Sequence, residues 1–286
     1  PDSTAGIFQA MMLFFILASD IFVRYRLRIV SRGDGSHAAR VSVAEEAGGA
    51  LTPLESYEGR GDYLSHTSLM ISLGGGASLE RIVLADDGDD GVTVSQAEAD
   101  LSANAAMAQT VLTAGGRRQR LETRVSHPGE GAELRMDAAY VLDGKRHADL
   151  TTAVTHGGVD GATDQLAKGV VREQARAVFQ GRIVVAEGAD RTDARMDHHA
   201  LILSDRAEVD AKPELEIYAD DVSCAHGNTV GALDEEALFY ARQRGIPEDA
   251  ARAMLTVAFV GEVVDRIGHE AAREAAQAWL TARLGG

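Results

Sequence analysis

A small-residue corner followed by apolar residues recurs six times between residues 40 and 220, and no other feature limits the fold of this chain so strongly. The alanines of successive corners are 27, 28, 27, 30 and 27 residues apart. Short apolar, β-forming runs lie between them, such as LMISL at residues 69–73 and RIVV at residues 182–185. The corners are Gly49-Ala50-Leu51, Gly76-Ala77-Ser78-Leu79, Ala105-Ala106-Met107, Gly131-Ala132-Glu133-Leu134, Gly161-Ala162 and Gly188-Ala189.

Near-constant spacing over six units is typical of a solenoid, in which each coil buries its apolar face against the next. We therefore predict a mostly β protein whose core, residues 25–231, is a right-handed parallel β-helix. A β-sandwich also has recurring turns, but it would not keep one period through six units.

The sequence after Val230 changes from β to helical patterning. Asp234 is a suitable N-cap for a first helix, which Gly245 would end. Pro247 suits the first turn of a second helix that ends near Gly268, and a third helix follows over residues 270–284. We predict a C-terminal helical domain over residues 232–286.

The second of these helices is apolar on much of its circumference and must therefore be buried on two sides. It could be buried between the β-helix and the third helix, or it could offer a surface to a partner protein, and the pattern leaves both open. Its predicted core stripe consists of Ala251, Met254, Leu255, Ala258 and Phe259. The candidate partner-binding residues are Leu238, Phe239, Tyr240, Val257, Val260 and Val264.

The single cysteine, Cys224, lies two residues before His226 where the β and helical regions meet. Alternate side chains of an extended strand share a face, which would place this thiol and imidazole about 7 Å apart, alongside Val222. Both groups ligate iron or zinc, but a tetrahedral site needs four donors, so a partner, a substrate or sulfide would have to complete it. A buried structural cysteine and a turn histidine are the simpler alternative.

The segment YADDVSCAHGNTVGALDEEALFYARQRGIPEDAARAM at residues 218–254 closely resembles the C-terminal signature of the SufB/SufD family of iron–sulfur cluster assembly scaffolds. The likeness continues upstream through residues 175–195 and 201–221, and more weakly to LESYEGRGDYL at residues 54–64. YADDV and CAHG resemble the SufD branch of the family. The His198-His199 pair departs from the family, where an Asn-Arg-Asn-like sequence is expected, and the N-terminal end does not resemble the family's helical N-terminal domain.

This resemblance implies a cytoplasmic, non-enzymatic scaffold in complex with a SufB-like paralogue and a SufC-like ATPase. The helical domain would dock the ATPase, and the segment around Cys224 and His226 would face the paralogue where a transient iron–sulfur cluster forms. The ligand role would fall chiefly on His226, with Cys224 auxiliary. A homodimer through the same face, a β-helix assembly protein with an inert cysteine, and a carbohydrate-active β-helix enzyme are the alternatives.

Charge and motifs exclude several other functions. A formal net charge of −16 with dispersed basic residues argues against nucleic acid, which requires a clustered basic face. The sequence has no G-x-x-x-x-G-K-[ST] loop, so we expect no nucleotide bound by this chain itself. A single cysteine fits a reducing compartment.

The first 24 residues are an atypical N-terminal segment. Residues 5–19 are uncharged, which is short for a membrane span, and the arginines follow this run instead of preceding it as in a signal peptide. Apolar residues at 21, 23, 25, 27 and 29 alternate with arginines at 24, 26 and 28, which predicts a strand and no membrane association.

Two polar clusters have the residue types of a metal site but a simpler explanation. The acidic run at residues 86–91 lacks the spaced bidentate acid of a calcium loop and is predicted to be a solvated turn. Asp193, Asp197 and His199 could share a strand face, but a polar outer surface of the β-helix explains them better.

Overall fold

The computed structural model describes residues 11–16 and 24–284, which form sixteen strands and three helices. The strands are β1 (Met11–Ile16), β2 (Arg24–Arg32), β3 (Gly35–Glu45), β4 (Ala50–Arg60), β5 (Tyr63–Leu73), β6 (Ser78–Asp86), β7 (Val92–Leu101), β8 (Ala106–Thr113), β9 (Arg118–His127), β10 (Glu133–Leu142), β11 (His147–His156), β12 (Ala162–Val171), β13 (Arg176–Val185), β14 (Asp193–Ile202), β15 (Glu208–Ile217) and β16 (Ser223–Gly231). The helices are α1 (Glu235–Gln243), α2 (Glu248–Asp265) and α3 (Glu270–Leu284).

Each coil of the chain adds one strand to each of two parallel sheets. The odd-numbered strands β1 to β15 form one eight-stranded sheet, and the even-numbered strands β2 to β16 form the other, both in sequence order. Leu64 pairs with Val92, 28 residues further on, and Arg176 pairs with Glu208, 32 residues further on. The predicted parallel β-helix is thereby confirmed, with a coil length close to the sequence period.

The corner alanines recur with this period because they occupy equivalent turns of successive coils. Ala77, Ala105 and Ala132 are fully buried at equivalent points immediately before β6, β8 and β10. The Ala77 N–H donates to the carbonyl of Gly74, which closes a tight turn. Ala162 lies one residue later in register, inside β12, and Ala189 precedes β14 by four residues because that coil is longer.

The lumen between the two sheets is filled by columns of apolar side chains. Equivalent residues of successive odd-numbered strands pair in register. Each side chain therefore packs on the equivalent side chain of the preceding coil. One such column consists of Val43, Ile71, Ala99, Val125, Val154, Ile183 and Leu215.

The lumen also contains a buried ion pair. The guanidinium of Arg81 donates to both carboxylate oxygens of Glu55, each at 2.7 Å, and the two side chains are only 4% and 3% exposed. A third donor of Arg81, Nη1, lies 2.6 Å from Oε1 of Gln109. The pair is therefore hydrogen-bonded as well as neutralised, as a buried pair requires.

Two buried histidines form a second polar inclusion. The rings of His127 and His156 are paired in register, with centroids 4.5 Å apart. Nε2 of His156 lies 2.9 Å from Oγ1 of Thr163, whereas both ring nitrogens of His127 have no protein partner. Burial lowers the pKa of His127 to about 3 and that of His156 to about 4, so both rings are neutral at pH 7.

The acidic run at residues 86–91 is a solvated turn at Asp89 and Asp90 only, so that prediction was wrong in part. Asp87 is buried, and its Oδ1 accepts hydrogen bonds from the hydroxyls of Tyr63 at 2.6 Å and Thr93 at 2.9 Å. Its Oδ2 accepts from the side-chain amide of Gln119 at 2.6 Å. Asp87 thus connects β5, β7 and β9, which are distant in the sequence and become neighbours only through the stacking of coils.

The helices cover the outer face of the even-numbered sheet. Val260, Val263 and Val264 of α2 are buried in one cluster with sheet residues such as Ile82 and Val170, and residues of α3 close the same cluster. Burial between the β-helix and the third helix therefore explains most of the apolar surface of α2. The predicted core stripe was wrong in part, because Met254 and Ala258 are exposed and Leu255 and Phe259 are only partly buried.

Polar contacts fix the helices on the sheet. Glu80 caps α3, because its carboxylate accepts from the N–H groups of Gly268 at 2.6 Å and His269 at 2.8 Å. Nε of Arg266, at the end of α2, lies 3.3 Å from the buried carboxyl of Asp137. Burial raises the pKa of Asp137 to about 7, although Arg266 and Arg135 oppose the rise.

In the described residues near both ends of the chain, the helices and strands agree with those predicted from the sequence. The side chain of Asp234 accepts from two N–H groups of α1, and the three helices lie where they were predicted. β2 covers part of the predicted N-terminal strand, β1 pairs in parallel with β3, and residues 1–10 and 17–23 lie outside the described residues. Within the described ranges, no helix is long and apolar enough to cross a membrane.

Candidate functional site

The segment that contains the cysteine forms β16, which is the last strand of its sheet. β16 pairs with β14 on one side, and in the described part of the chain no strand pairs with its other side. Its free backbone N–H and C=O groups are therefore available to a further strand.

The register with β14 assigns a direction to each side chain of β16. Cys224 lies opposite Ala194 and His226 lies opposite Met196, and both of these β14 residues are fully buried in the lumen. Cys224 and His226 therefore continue lumen columns on one face of the strand, as their spacing predicts. Cys224 is partly buried against the core with Val222, whereas His226 is exposed because no coil follows it.

The thiol is held in its protonated form at neutral pH. Burial raises the pKa of Cys224 above its ordinary value, and the backbone of Ala194 opposes the rise only in part. Binding to a metal would have to displace this proton, because the thiolate is the ligating form.

Two donors do not make a closed site. Among the described residues, no group of three or more histidine, cysteine, aspartate or glutamate side chains could hold a metal ion. Cys224 and His226 fit the donor chemistry of iron–sulfur centres, but a second molecule would have to supply the remaining ligands.

A buried histidine that the sequence did not single out as functional anchors the edge strand. Nδ1 of His198 lies 2.7 Å from Oδ1 of Asn228, and Nε2 lies 2.9 Å from the hydroxyl of Tyr140. Its ring stacks on Phe179 at a centroid distance of 4.7 Å. Because an amide oxygen only accepts, Nδ1 carries the proton and Tyr140 donates to Nε2. His198 thus holds β16 two residues from His226, and only the departure of this pair from the family pattern could have indicated it.

Asp193, Asp197 and His199 lie on the outer face of β14, as predicted. Nδ1 of His199 lies 2.6 Å from the Thr229 hydroxyl, and Asp193 is exposed. Within the described part of the chain, these three residues do not form a metal-ligand group.

The structure separates the six candidate partner-binding residues. Phe239 and Tyr240 on α1 are 57% and 66% exposed, and their rings meet edge to face. Leu238, Val260 and Val264 are buried inside the molecule, so no partner could reach them in this conformation. Val257 is only partly buried against the helix–sheet cluster.

Known iron–sulfur cluster assembly proteins resemble this chain over most of its length. A sequence model described as SUF system FeS cluster assembly, SufBD core domain, matches residues 28–259. The iron–sulfur cluster assembly protein SufD of Escherichia coli (strain K12) is 38% identical over 172 residues, which cover 60% of this chain and 41% of that protein. An iron–sulfur cluster assembly SufBD family protein of Synechocystis sp. is 30% identical over 247 residues, which cover 86% of this chain and 54% of that protein.

The match extends from β2 through the solenoid and the edge strand into α2, and the predicted family is confirmed. The chain spans about half the length of the curated relatives it matches. Because the domain model covers most of the sequence, this chain belongs to the SufBD core family of SUF-system iron–sulfur cluster assembly proteins.

Proposed function

We propose that this protein is a cytoplasmic scaffold subunit that assembles with a SufB-like paralogue and a SufC-like ATPase and performs no catalysis of its own. The iron–sulfur cluster is the cargo of this complex, built transiently between the subunits. The observation that carries the proposal is the position of Cys224 and His226, at the open end of the solenoid and on one face of an unpaired edge strand.

Edge geometry supports completion of the site by a partner. A strand of the paralogue that pairs with β16 would place its own side chains directly opposite those of β16, at Cβ separations of about 4.5–5.5 Å. Donors on that strand would then be within reach of His226. The exposed imidazole is the better first ligand, because the thiol of Cys224 is partly buried and protonated.

His226→Ala is expected to leave the complex assembled but to slow cluster formation by about tenfold or more, since even outer-shell partners of a metal change its affinity by about 10–100-fold. Cys224→Ser should have a smaller effect. The measurement is iron and sulfide content against time in the complex with the paralogue and the ATPase, after size-exclusion chromatography has shown assembly.

His199→Ala is the matched control, because His199 lies on the outer face of the adjacent strand. It should form clusters at the wild-type rate. If His226→Ala also does so, the histidine has a structural role and the proposed site is wrong.

The exposed aromatic pair on α1 supports an ATPase contact. Aromatic residues dominate the energetics of many interfaces, and Phe239 and Tyr240 are more than half exposed. Deleting the helices would uncover the apolar sheet face at Ile82 and Leu112, so substitution tests this contact more cleanly than truncation.

Phe239→Ala/Tyr240→Ala is expected to weaken binding of the SufC-like ATPase by about tenfold or more, since interface hot spots contribute about 2 kcal/mol or more each. Binding is measured by titration calorimetry. Leu64→Ala, which truncates an exposed leucine on the opposite sheet, is the control and should bind normally. Unchanged affinity of the double variant would locate the ATPase elsewhere.

A further inference from the structure

A chain of hydrogen bonds runs through the lumen from Tyr140 to the last strand. Tyr140 of β10 lies opposite Gly169 of β12, the strand between β10 and β14. A Cβ atom at Gly169 would overlap the phenol ring of Tyr140, so the absence of a side chain there lets the ring cross β12. The hydroxyl of Tyr140 thereby reaches His198 on β14, and His198 reaches Asn228 on β16. The three side chains thus connect β10 to β16, which are three strands apart in the sheet.

Burial fixes the direction of these hydrogen bonds. Tyr140 is 1% exposed, and among the described residues His198 is the only hydrogen-bond partner of its hydroxyl. A buried hydroxyl that donates to nothing costs free energy, so Tyr140 donates to Nε2 of His198. Burial also lowers the pKa of His198, which keeps the ring neutral at pH 7. The single ring proton is therefore on Nδ1, which donates to Oδ1 of Asn228.

The amide of Asn228 consequently has a defined orientation. Its oxygen faces His198 on the preceding coil, and its NH2 group is directed away from that ring. Asn228 is exposed at the end of the solenoid, where no strand of the described chain follows β16. Because Asn228 lies opposite the lumen residue His198, it shares the lumen face of β16 with His226, two residues away. A fixed N–H donor thus lies beside the candidate ligand.

We propose that Asn228 donates an N–H hydrogen bond to an anionic sulfur atom of the cargo bound at His226. Tyr140 and His198 are then positioning residues, which hold the amide in the donating orientation. This inference rests on the proposed function.

The chemistry of the amide points to an anion. An NH2 group only donates, so it cannot ligate a metal ion but can bind an anionic ligand of that ion. Hydrogen bonds to the sulfurs of an iron–sulfur cluster are among the factors that set its reduction potential. Bridging sulfide and the thiolate of a partner's cysteine are the two sulfur anions that fit this donor.

Asn228→Asp separates the proposed role from a structural one. The variant keeps an oxygen that accepts from Nδ1 of His198, but it replaces the NH2 group by a second acceptor. In the complex with the paralogue and the ATPase, we expect sulfide to be incorporated about tenfold or more slowly, the usual effect of losing a hydrogen bond to a charged group. The reduction potential of the bound cluster should become more negative, because the donor stabilises the reduced form.

Ala225→Asp is the matched control. It adds the same charge to the same strand, but on the outward face, where Ala225 is exposed and lies opposite Arg195. This variant should incorporate sulfide at the wild-type rate. An equal loss in both variants would assign the effect to charge and would overturn the inference.

Tyr140→Phe tests the positioning role from three strands away. Without the hydroxyl, either orientation of the Asn228 amide leaves one nitrogen of His198 without a partner. The NH2 group should then face the cargo only about half of the time, which lowers the rate about twofold. In Tyr140→Phe/Asn228→Asp the rate should be no lower than in Asn228→Asp alone, because no amide remains to be oriented.

The orientation can also be measured without a partner or cargo. Long-range proton–nitrogen NMR spectra of the free chain should show His198 protonated at Nδ1 in the wild type and as a mixture of tautomers in Tyr140→Phe. Circular dichroism should show the variants to be folded like the wild type. A wild-type ring protonated at Nε2 would contradict the proposed donor orientation and would overturn the inference.

Omitting sulfide identifies the sulfur anion. A defect of Asn228→Asp that appears only with added sulfide assigns the donor to sulfide, whereas weaker retention of iron(II) without sulfide assigns it to a partner thiolate. Wild-type rates in both Asn228→Asp and Tyr140→Phe would overturn the inference, and impaired His226→Ala would then show that the proposed function survives. If the wild-type complex forms no cluster, the proposed function and this inference both fail.

Discussion

Arg81→Met is expected to lower the free energy of unfolding by about 3–5 kcal/mol, because it leaves the carboxylate of Glu55 buried in the lumen with no counter-charge. The substitution also removes the donor to Gln109, whose amide oxygen then depends on Thr123 alone. The quantity is obtained from urea denaturation at pH 7, with the midpoint and slope compared between variant and wild type.

Removing both charges should restore most of this loss. In Arg81→Met/Glu55→Leu the lumen holds two apolar side chains of similar volume, and replacing a buried pair in this way is often neutral. Arg191→Met, which removes an exposed partner of Asp160, should leave the midpoint almost unchanged. A single variant as stable as the wild type would mean that water reaches Glu55.

Acidification from pH 7 to pH 4.5 is expected to remove stability that the neutral His127 and His156 contribute, while protonation of Asp137, whose pKa burial raises to about 7, opposes part of this loss. Unfolded histidines bind protons below a pKa of about 6.5, whereas burial lowers the folded values to about 3 and about 4. The unfolded state therefore binds more protons in this window, and stability falls as pH falls. Each histidine contributes a loss of about 1.4 kcal/mol per pH unit, so the pair accounts for about 5 kcal/mol at pH 4.5.

His127→Leu/His156→Leu should remove this contribution and flatten the dependence of unfolding free energy on pH between 6.5 and 4.5. His66→Gln is the control, because His66 is exposed and its removal should leave the acid sensitivity unchanged. Urea denaturation at several pH values supplies the comparison. An acid sensitivity that persists undiminished in the double leucine variant would assign it to other groups, such as His198, whose pKa is also lowered by burial.

The architecture could be predicted from the sequence because it depends on local signals. The corner alanines and the strand patterns repeat once per coil. Asp234 begins α1 and Gly245 ends it, both through contacts with near neighbours in the sequence. The shared face of Cys224 and His226 follows from strand geometry alone.

Burial across coils could not be predicted in the same way. Asp87 depends on Gln119, 32 residues away, and His198 depends on Tyr140, 58 residues away, so no local pattern distinguishes them from surface residues. The prediction of which face of α2 is buried was wrong in part for a related reason. Its valines face the sheet because that face meets Ile82 and Val170, whereas Met254 satisfies the helical periodicity equally well.

The helices that lie across the even-numbered sheet change how the solenoid holds together. A stack of coils alone is a nearest-neighbour system that can fray one coil at a time. Here α3 contacts β6 and α2 contacts β10 and β12, so one helical brace joins the coil of β6 to the coils of β10 and β12, with which β6 does not pair. The braced coils must open together, whereas β15 and β16 lie beyond most of this brace. The end of the solenoid that contains Cys224 and His226 can therefore loosen, rearrange and close again while the braced coils stay folded.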